Sequence, residues 1–248
     1  MAKTVLISGG SRGIGEATAT IMAAQGWQVA LTYRSDREAA EQTVQVIQGN
    51  GGQALAIQGD TVHEEDVRRA FDETFEAFDG LDAVVVNAGI VAPSMPLADM
   101  SAERLRSMFD TNILGAFLFA REAARRLPSQ VSDDGGAIVF VSSAASRLGS
   151  PFEYVDYAAS KGALDTLTLG LLKELASTGI RVNAVRPGLI DTDIHASGGQ
   201  PDRAMRLGQN VPMGRPGTAQ EVAHSIAWLC SSAASYCTGT ILDVAGGR

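Results

Sequence analysis

The chain has 248 residues, 45% of them hydrophobic, and a formal net charge of -8. That is enough apolar content for one substantial core, and no Pro- or Ser-rich tract, like-charge block or repeat divides the chain, so residues 1–248 are expected to form a single domain. The acidic balance argues against a nucleic-acid or membrane-surface partner, since phosphate-rich surfaces demand clustered Lys and Arg.

Cys230 and Cys237 are the two cysteines and have no zinc-type spacing, so they read as buried thiols of a reducing compartment. Met1 to Thr4 runs straight into a strand pattern, and no run approaches 18 apolar residues, which leads us to expect a cytoplasmic location. His63, His195 and His224 are scattered and sit in no ligand motif, so no metal is expected.

Val5-Leu6-Ile7 is a short apolar strand that stops at Ser8-Gly9-Gly10-Ser11-Arg12-Gly13-Ile14-Gly15, and a helical pattern then runs to Gly26. Glycines at such a turn let the backbone approach a pyrophosphate, and the helix N-terminus behind it offers unpaired N–H groups. The spacing of Gly9, Gly13 and Gly15 differs from the G-x-G-x-x-G fingerprint, and a glycine-rich turn can also be only a tight connection.

The second strand, Gln28 to Tyr33, ends where an acidic residue normally takes the ribose hydroxyls of NAD; Tyr33 stands there, followed by Arg34. Arg34 and Arg12 can clamp a 2'-phosphate, so NADP(H) is predicted over NAD(H). The other reading makes both arginines solvated surface charges with Asp36 nearby.

A helix from Asp36 to Gln48 and a third strand, Ala54 to Ile57, lead to Asp60, which either accepts from an adenine amino group or starts the next loop. Helix Glu64–Phe78 precedes a fourth strand, Ala83–Val86, whose end Asn87-Ala88-Gly89 lies where a parallel sheet meets its ligand. Successive β-α units predict a buried parallel sheet with helices on both faces, a doubly wound α/β fold.

One long helix is expected from Ser101 through Asn112 to Leu127, ended by Pro128. Asn112 lies among apolar neighbours and is either a structural bridge or a holder of ordered water. Ala137–Val141 is a fifth strand closed by Ser142-Ser143, a helix then runs past Tyr157 to about Ser177, and a sixth strand spans Ile180–Val185.

Tyr157 and Lys161 stand four residues apart on one helical face. About 4 kcal/mol separates a phenol from its phenolate at neutral pH, and a fixed cation beside it narrows that gap. Such a pair also occurs on ordinary helix surfaces, where the lysine snorkels.

Taken together, Ser8 to Gly15, Asp60, Asn87-Ala88-Gly89, Asn112, the serine pair, Tyr157-x-x-x-Lys161, Pro187-Gly188 and Ile241-Leu242-Asp243 before Gly246-Gly247 resemble the single-domain short-chain dehydrogenase/reductase family, over essentially the whole chain. The resemblance implies a Rossmann fold with a seven-stranded parallel sheet of order 3-2-1-4-5-6-7, and a homotetramer or homodimer built partly on the Asn112 and Tyr157 helices. It implies hydride transfer between a nicotinamide and an alcohol or carbonyl, with Tyr157 as acid/base, Lys161 lowering its pKa and holding the ribose, Ser143 orienting the substrate oxygen and Asn112 holding a water. The implied cofactor site comprises Gly9, Ser11, Arg12, Gly13, Ile14, Gly15, Arg34, Asp60, Asn87, Gly89, Pro187, Gly188, Ile190 and Thr192, together with Tyr157 and Lys161. Val86 stands where the family usually has a first asparagine, and the Ser143–Tyr157 interval is one residue longer than is common, which keeps Ser142 open as the catalytic serine.

Residues 193–215, with Gly198-Gly199, Pro201 and Pro212, are expected to cover a small-molecule substrate. Tyr154, one turn before Tyr157, either lines the pocket or packs against a neighbouring subunit. The arrangement is similar to bacterial sugar 1-dehydrogenases and to 3-oxoacyl carrier-protein reductases. For the latter, the basic cluster Arg121, Arg125, Arg126 and Lys173 offers a landing patch, or is simply solvated. A nucleotide-sensing protein without turnover is the reading from another class.

Overall fold

The computed structural model describes residues 2–127 and 135–248; Met1 and Pro128 lie outside the described residues. Strands β1 (Thr4–Ile7), β2 (Gln28–Tyr33), β3 (Gln53–Gln58), β4 (Ala83–Val86), β5 (Ala137–Val141) and β6 (Arg181–Pro187) alternate with helices. The helices are α1 (Gly13–Ala24), α2 (Arg37–Gly49), α3 (Glu64–Phe78), α4 (Ala102–Phe109), α5 (Gly115–Arg126), a short α6 (Ala145–Leu148) and α7 (Val155–Leu175). Beyond β6 come β7 (Ile190–Asp191), α8 (Ile194–Ser197), α9 (Arg203–Gly208), β8 (Gly217–Thr218), α10 (Ala219–Cys230) and β9 (Ile241–Val244).

Seven strands form one parallel sheet of order β3-β2-β1-β4-β5-β6-β9, as expected, with β9 as its seventh strand. Side chains alternate across it: Val5 and Ile7 join Met22, Ala40 and Ile226 of α1, α2 and α10, whereas Leu6 joins Phe71, Phe119 and Leu164 of α3, α5 and α7. With both faces covered, the central strands β1, β4 and β5 are almost wholly apolar. Crossovers of this kind bring the C-terminal ends of β1, β4, β5 and β6 to one edge, where Ser8, Asn87, Ser142-Ser143 and Gly188 follow.

Three elements differ from expectation. The helix predicted from Ser101 to Leu127 is interrupted by a π turn at Asp110–Leu114, which separates α4 from α5 and carries Asn112. Strands β7 and β8 pair in a small second sheet that frames α8 and α9. Helix α10 has no counterpart among the predicted elements, although its capping box is legible: Thr218 Oγ1 accepts from the Glu221 N–H while the Glu221 carboxylate accepts from the Thr218 N–H. None of the helices among the described residues is long and apolar enough to cross a membrane.

The C-terminal end of α10 is held by a buried arginine. Arg181 Nη1 donates to the carbonyls of Leu229 (2.7 Å) and Ala234 (3.1 Å), and Nη2 to those of Ser231 (3.2 Å) and Cys230 (3.4 Å). Cationic donors at a helix C-terminus satisfy orphan carbonyls and oppose the negative end of the dipole. Arg181→Met should lower the unfolding free energy by about 3 kcal/mol in urea titrations, because buried carbonyls lose charge-assisted partners. A loss under about 1 kcal/mol would mean that packing alone holds this helix end.

Candidate active site

The glycine turn is stitched to the end of β4. Ser8 Oγ accepts from the backbone N–H groups of Asn87 (2.9 Å) and Ala88 (3.0 Å), and Asn87 Nδ2 donates to the carbonyls of Ser8 (3.0 Å) and Gly9 (2.7 Å). Gly9 has φ +64°, and a Cβ there would meet Ala88 Cα at 3.0 Å. At Gly15 a Cβ would fall 2.2 Å from the Gly9 carbonyl oxygen, so no larger residue fits. Arg12, the residue before α1, makes no side-chain cap, so the helix start is left to a ligand.

Arg12 and Arg34 are exposed at this end of the site, and among the described residues neither has an ion-pair partner. Asp36, the acid expected nearby, lines the same cavity and caps α2, accepting from the Ala39 N–H at 3.1 Å. Asp60 lines the cavity, and its Oδ1 accepts from the Val62 N–H at 3.2 Å as the next loop begins.

At the β5 end the two serines diverge. Ser142 Oγ donates to Asp165 Oδ1 (2.7 Å) and lies 3.1 Å from the Lys161 carbonyl, facing into α7. Ser143 lines the cavity together with Tyr157, and its Oγ accepts from the Ala145 N–H at 3.1 Å. Lys161 is 3% exposed; Nζ donates to the Val141 carbonyl at 2.8 Å and lies 5.7 Å from the Tyr157 ring centroid. Burial pushes the Lys161 ammonium down to about 8, against the pull of Asp165 in the other direction. For Tyr157 the expected lowering is reversed: burial raises the phenol above its ordinary value, and the neighbouring Ser143 hydroxyl offsets this only in part. The phenol therefore holds its proton at neutral pH.

Asn112 is fully buried and makes a structural bridge. Its Oδ1 accepts from the Ile90 N–H (2.8 Å), and its Nδ2 donates to the Ile90 carbonyl (2.9 Å) and lies 3.1 Å from Ser160 Oγ. The π turn places this amide between the segment after β4 and α7. Below it, the Arg104 guanidinium clamps Asp156 through Nε (2.8 Å) and Nη2 (3.2 Å) and also donates to the Pro93 carbonyl, anchoring the start of α7 beside Tyr157.

A cavity of about 450 Å³ runs from Arg34 and Asp60, past the glycine turn, to Tyr157. Gly9, Ser11, Arg12, Gly13, Ile14, Asn87 and Gly89 line it, as do Ser143, Tyr157, Lys161, Pro187, Gly188, Ile190 and Thr192. Gly15 and Asn112 stand behind the wall: Gly15 packs under the Gly9 carbonyl, and the Asn112 amide is committed to Ile90 and Ser160. The far end is closed by Leu148, Tyr154, Ile194, His195 and Arg203. Arg203 forms a paired salt bridge with Glu153 (2.8 and 2.6 Å) with its guanidinium 5.0 Å from the Tyr154 ring centroid, and Gln200 Nε2 donates to the Tyr154 hydroxyl at 2.8 Å. Sequence reasoning did not assign Ser8, Asp156, Asp165 or Arg203 to the site. Asp165 had a signal, four residues beyond Lys161 on the Tyr157 face; Arg203 had none, since only chain packing brings it to Tyr154.

A cradle that excludes Cβ atoms, an uncapped helix start and a Ser-Tyr-Lys cluster in one cavity define a dinucleotide-dependent oxidoreductase. The family pattern described as Enoyl-(Acyl carrier protein) reductase matches residues 9–248. The chain is 50% identical to the uncharacterized oxidoreductase YgfF of Escherichia coli (strain K12), covering 98% of each. It is 39% identical to 3beta-hydroxysteroid dehydrogenase 1 of Eggerthella lenta, with 99% of this chain and 93% of the other covered. With glucose 1-dehydrogenase 2 of Bacillus subtilis the identity is 34%, covering 99% and 94%. Two solved structures superpose at TM-score 0.90: a short-chain dehydrogenase of Burkholderia cenocepacia J2315 in complex with NADP (35% identity, 99% and 97% covered) and 3-ketoacyl-(acyl-carrier-protein) reductase of Brucella melitensis complexed with NADH (30%, 99% and 98%). The chain belongs to the short-chain dehydrogenase/reductase family. It is an oxidoreductase of alcohol and carbonyl groups that uses a nicotinamide cofactor.

Gly15→Ala should weaken binding of reduced nicotinamide dinucleotide by about tenfold or more, roughly 1.4 kcal/mol, as read by fluorescence titration. Gly80→Ala, where an added Cβ meets nothing within 4 Å, should leave binding unchanged. Equal affinities for the two variants would contradict the cradle.

Proposed function

We propose that this protein is an NADP(H)-dependent enzyme that interconverts a small ketone, aldehyde or sugar carbonyl and its alcohol, with Tyr157 as the acid/base. The observation that carries the reading is the convergence of Ser143, Tyr157 and the Lys161 ammonium on the one cavity that begins at the glycine turn. The backbone from Gly9 to Gly15 and the start of α1 would hold the pyrophosphate, and Asp60 and Asn87 the adenine and ribose side. The bound nicotinamide supplies or accepts the hydride at the substrate carbon. Negative charge then develops on the substrate oxygen during reduction, and Tyr157 delivers its proton there while Ser143 donates a hydrogen bond to the same atom. Lys161 balances the phenolate that remains. Asn112, by bridging Ile90 to Ser160, keeps α7 at its distance from the β4 end and supports the proton path from behind.

Preference for NADP(H) follows from Arg12 and Arg34, which are exposed at the adenine end and without acidic partners among the described residues, while Asp36 is spent on its helix cap. A 2'-phosphate there gains forked, charge-assisted hydrogen bonds. Segment 193–215, folded as α8 and α9, covers the substrate end and is tied to the start of α7 through Arg203–Glu153 and Gln200–Tyr154. Exposed Leu114, Phe117 and Leu169 on α5, the π turn and α7 support a homo-oligomer, dimer or tetramer, on this face.

Reduction of a 3-oxoacyl thioester finds less support. In the cluster offered to an acidic carrier, Arg121 pairs with Glu64 (2.5 Å), Arg125 with Glu122 (2.8 Å) and Arg126 with Asp72 (2.6 Å), which neutralises its arginines. A sensor without turnover has no physical need of a phenol and ammonium converging on one cavity.

Initial rates of NADPH and NADH oxidation with aldehydes, diketones, sugars, a ketosteroid and a 3-oxoacyl thioester test the reading. NADPH should be preferred, and Tyr157→Phe should lower kcat by about 10²–10⁴-fold without weakening cofactor binding. Replacing both Arg12 and Arg34 by Ala should cost NADPH affinity about 2 kcal/mol, roughly thirtyfold, and leave NADH affinity nearly unchanged. Undiminished turnover by Tyr157→Phe would refute the assignment. Tyr154→Ala should redistribute kcat/KM among the ketones by about tenfold, since one wall of the pocket goes; an unaltered ranking would remove Tyr154 from the substrate site.

A further inference from the structure

Tyr157 is the third residue of α7, and the hydrogen bond that opens this helix runs from the Ala158 N–H to the Tyr154 carbonyl at 2.9 Å. The Tyr157 N–H is therefore one of the orphan donors of a helix start, and Tyr154, at the cap position, offers no side-chain acceptor. Asp156 Oδ1 accepts it instead, at 2.9 Å. The same carboxylate is gripped from α4, 52 residues away in the chain: Arg104 Nε donates to Oδ2 at 2.8 Å and Nη2 to Oδ1 at 3.2 Å. Asp156 is 2% exposed, and among the described residues Arg104 is the cation paired with it. A carboxylate so buried keeps its place only while that partner holds it.

The other main-chain polar group of Tyr157 is held in the same way. Ser160 Oγ donates to the Tyr157 carbonyl at 2.7 Å and accepts from Asn112 Nδ2 of the π turn at 3.1 Å. The residue that bears the phenol thus has its N–H and its carbonyl each bonded to a side chain, and each of those side chains is gripped by the stretch that runs from α4 into the π turn. Arg104 also donates to the Pro93 carbonyl, on the segment that continues from Ile90 and Val91 of the cavity wall. One planar guanidinium therefore spans from the β4 side of the cavity to the start of α7. Neither Arg104 nor Asp156 lines the cavity, so neither meets substrate or cofactor there.

We propose that Asp156, held by Arg104, is a positioning residue of the reaction: it fixes the main chain of Tyr157 and with it the place of the phenol against the substrate oxygen. The inference rests on the reading of Tyr157 as the acid/base. Proton transfer needs its two heavy atoms about 2.6–3.2 Å apart, and a displacement of about 1 Å costs on the order of a hundredfold in rate. The cofactor cradle hangs from β1 and β4 and has no bond to Asp156, so loss of this carboxylate leaves dinucleotide binding in place.

Rates of NADPH oxidation are read with whichever of an aliphatic aldehyde, a vicinal diketone and an aldose the wild type reduces fastest. Asp156→Leu should lower kcat per folded molecule by about ten- to a hundredfold and leave NADPH affinity, by fluorescence titration, within about twofold. Asp156→Asn keeps an oxygen for the Tyr157 N–H and should recover most of that loss. The decisive measurement repeats Asp156→Leu in a Tyr157→Phe background, where the residual rate should change by less than about twofold, because a group that acts through the phenol has nothing left to place. A merely structural Asp156 would lower the melting temperature and slow both backgrounds by one factor, or slow neither, and either result overturns the proposal. Should Asp156→Leu fail to fold, Arg104→Gln in the two backgrounds decides, and equal effects there are refuting. Undiminished turnover by Tyr157→Phe, or none by the wild type, would remove the acid/base reading and this proposal with it. A slow Tyr157→Phe beside a full-speed Asp156→Leu overturns the proposal alone.

Discussion

The stitch between Ser8 and Asn87 is the interaction on which the site depends. One hydroxyl accepts from two consecutive N–H groups, and one amide donates to two consecutive carbonyls, so the loops that leave β1 and β4 cannot move independently. Gly15 packs beneath this junction, where any side chain would collide with the Gly9 carbonyl. The cradle for a dinucleotide is thus built from backbone, and it costs no charged side chain. That suits a protein of net negative charge, which places positive groups at particular points of the cavity: Arg12 and Arg34 at the rim, Lys161 within.

The chemistry at the other end of the cavity is governed by desolvation. Closing Tyr157 and Lys161 into protein raises the phenol and lowers the ammonium, the opposite of what their mutual attraction alone would do. Proximity in sequence predicts the attraction, and only burial reveals that it is outweighed. Three groups work against the cost: Ser143 on the phenol, the Val141 carbonyl on the ammonium, and Asp165 behind it. The surrounding scaffold is correspondingly stiff. Arg104 grips Asp156 at the start of α7, and Asn112 ties the Ile90 peptide to Ser160, so the helix that bears the phenol is pinned on two sides.

On the proposed reading, substrate recognition falls to a different kind of structure. Helices α8 and α9 stand outside the seven-stranded sheet, framed by the two-residue strands β7 and β8, and they reach the active helix through side chains alone. The Arg203–Glu153 pair and the Gln200–Tyr154 hydrogen bond are polar links at a partly covered surface, individually modest and together enough to define one wall. A scaffold held by backbone and core with a cover held by side chains lets the substrate end vary without disturbing the cofactor end.

Local order was legible in the chain itself. Short continuous apolar runs marked the strands, the glycine turn after the first of them marked the phosphate end, and the strict β-α alternation determined a parallel sheet whose carboxyl edge collects Asn87, Ser143 and Gly188. The four-residue step from Tyr157 to Lys161 was sufficient to put both on one helical face, because helix geometry is a property of the backbone. What tertiary structure alone decided was every choice between chemically equal neighbours. Ser142 and Ser143 differ only in which way the end of β5 turns them, and Asp165 meets Arg186 only because β6 packs beside β5. The break at Asn112 arises because its amide is worth more bonded to Ile90 and Ser160 than buried in a regular helix with no partner. Pairing across 21 to 48 residues of chain depends on the packed core, and no local pattern encodes it.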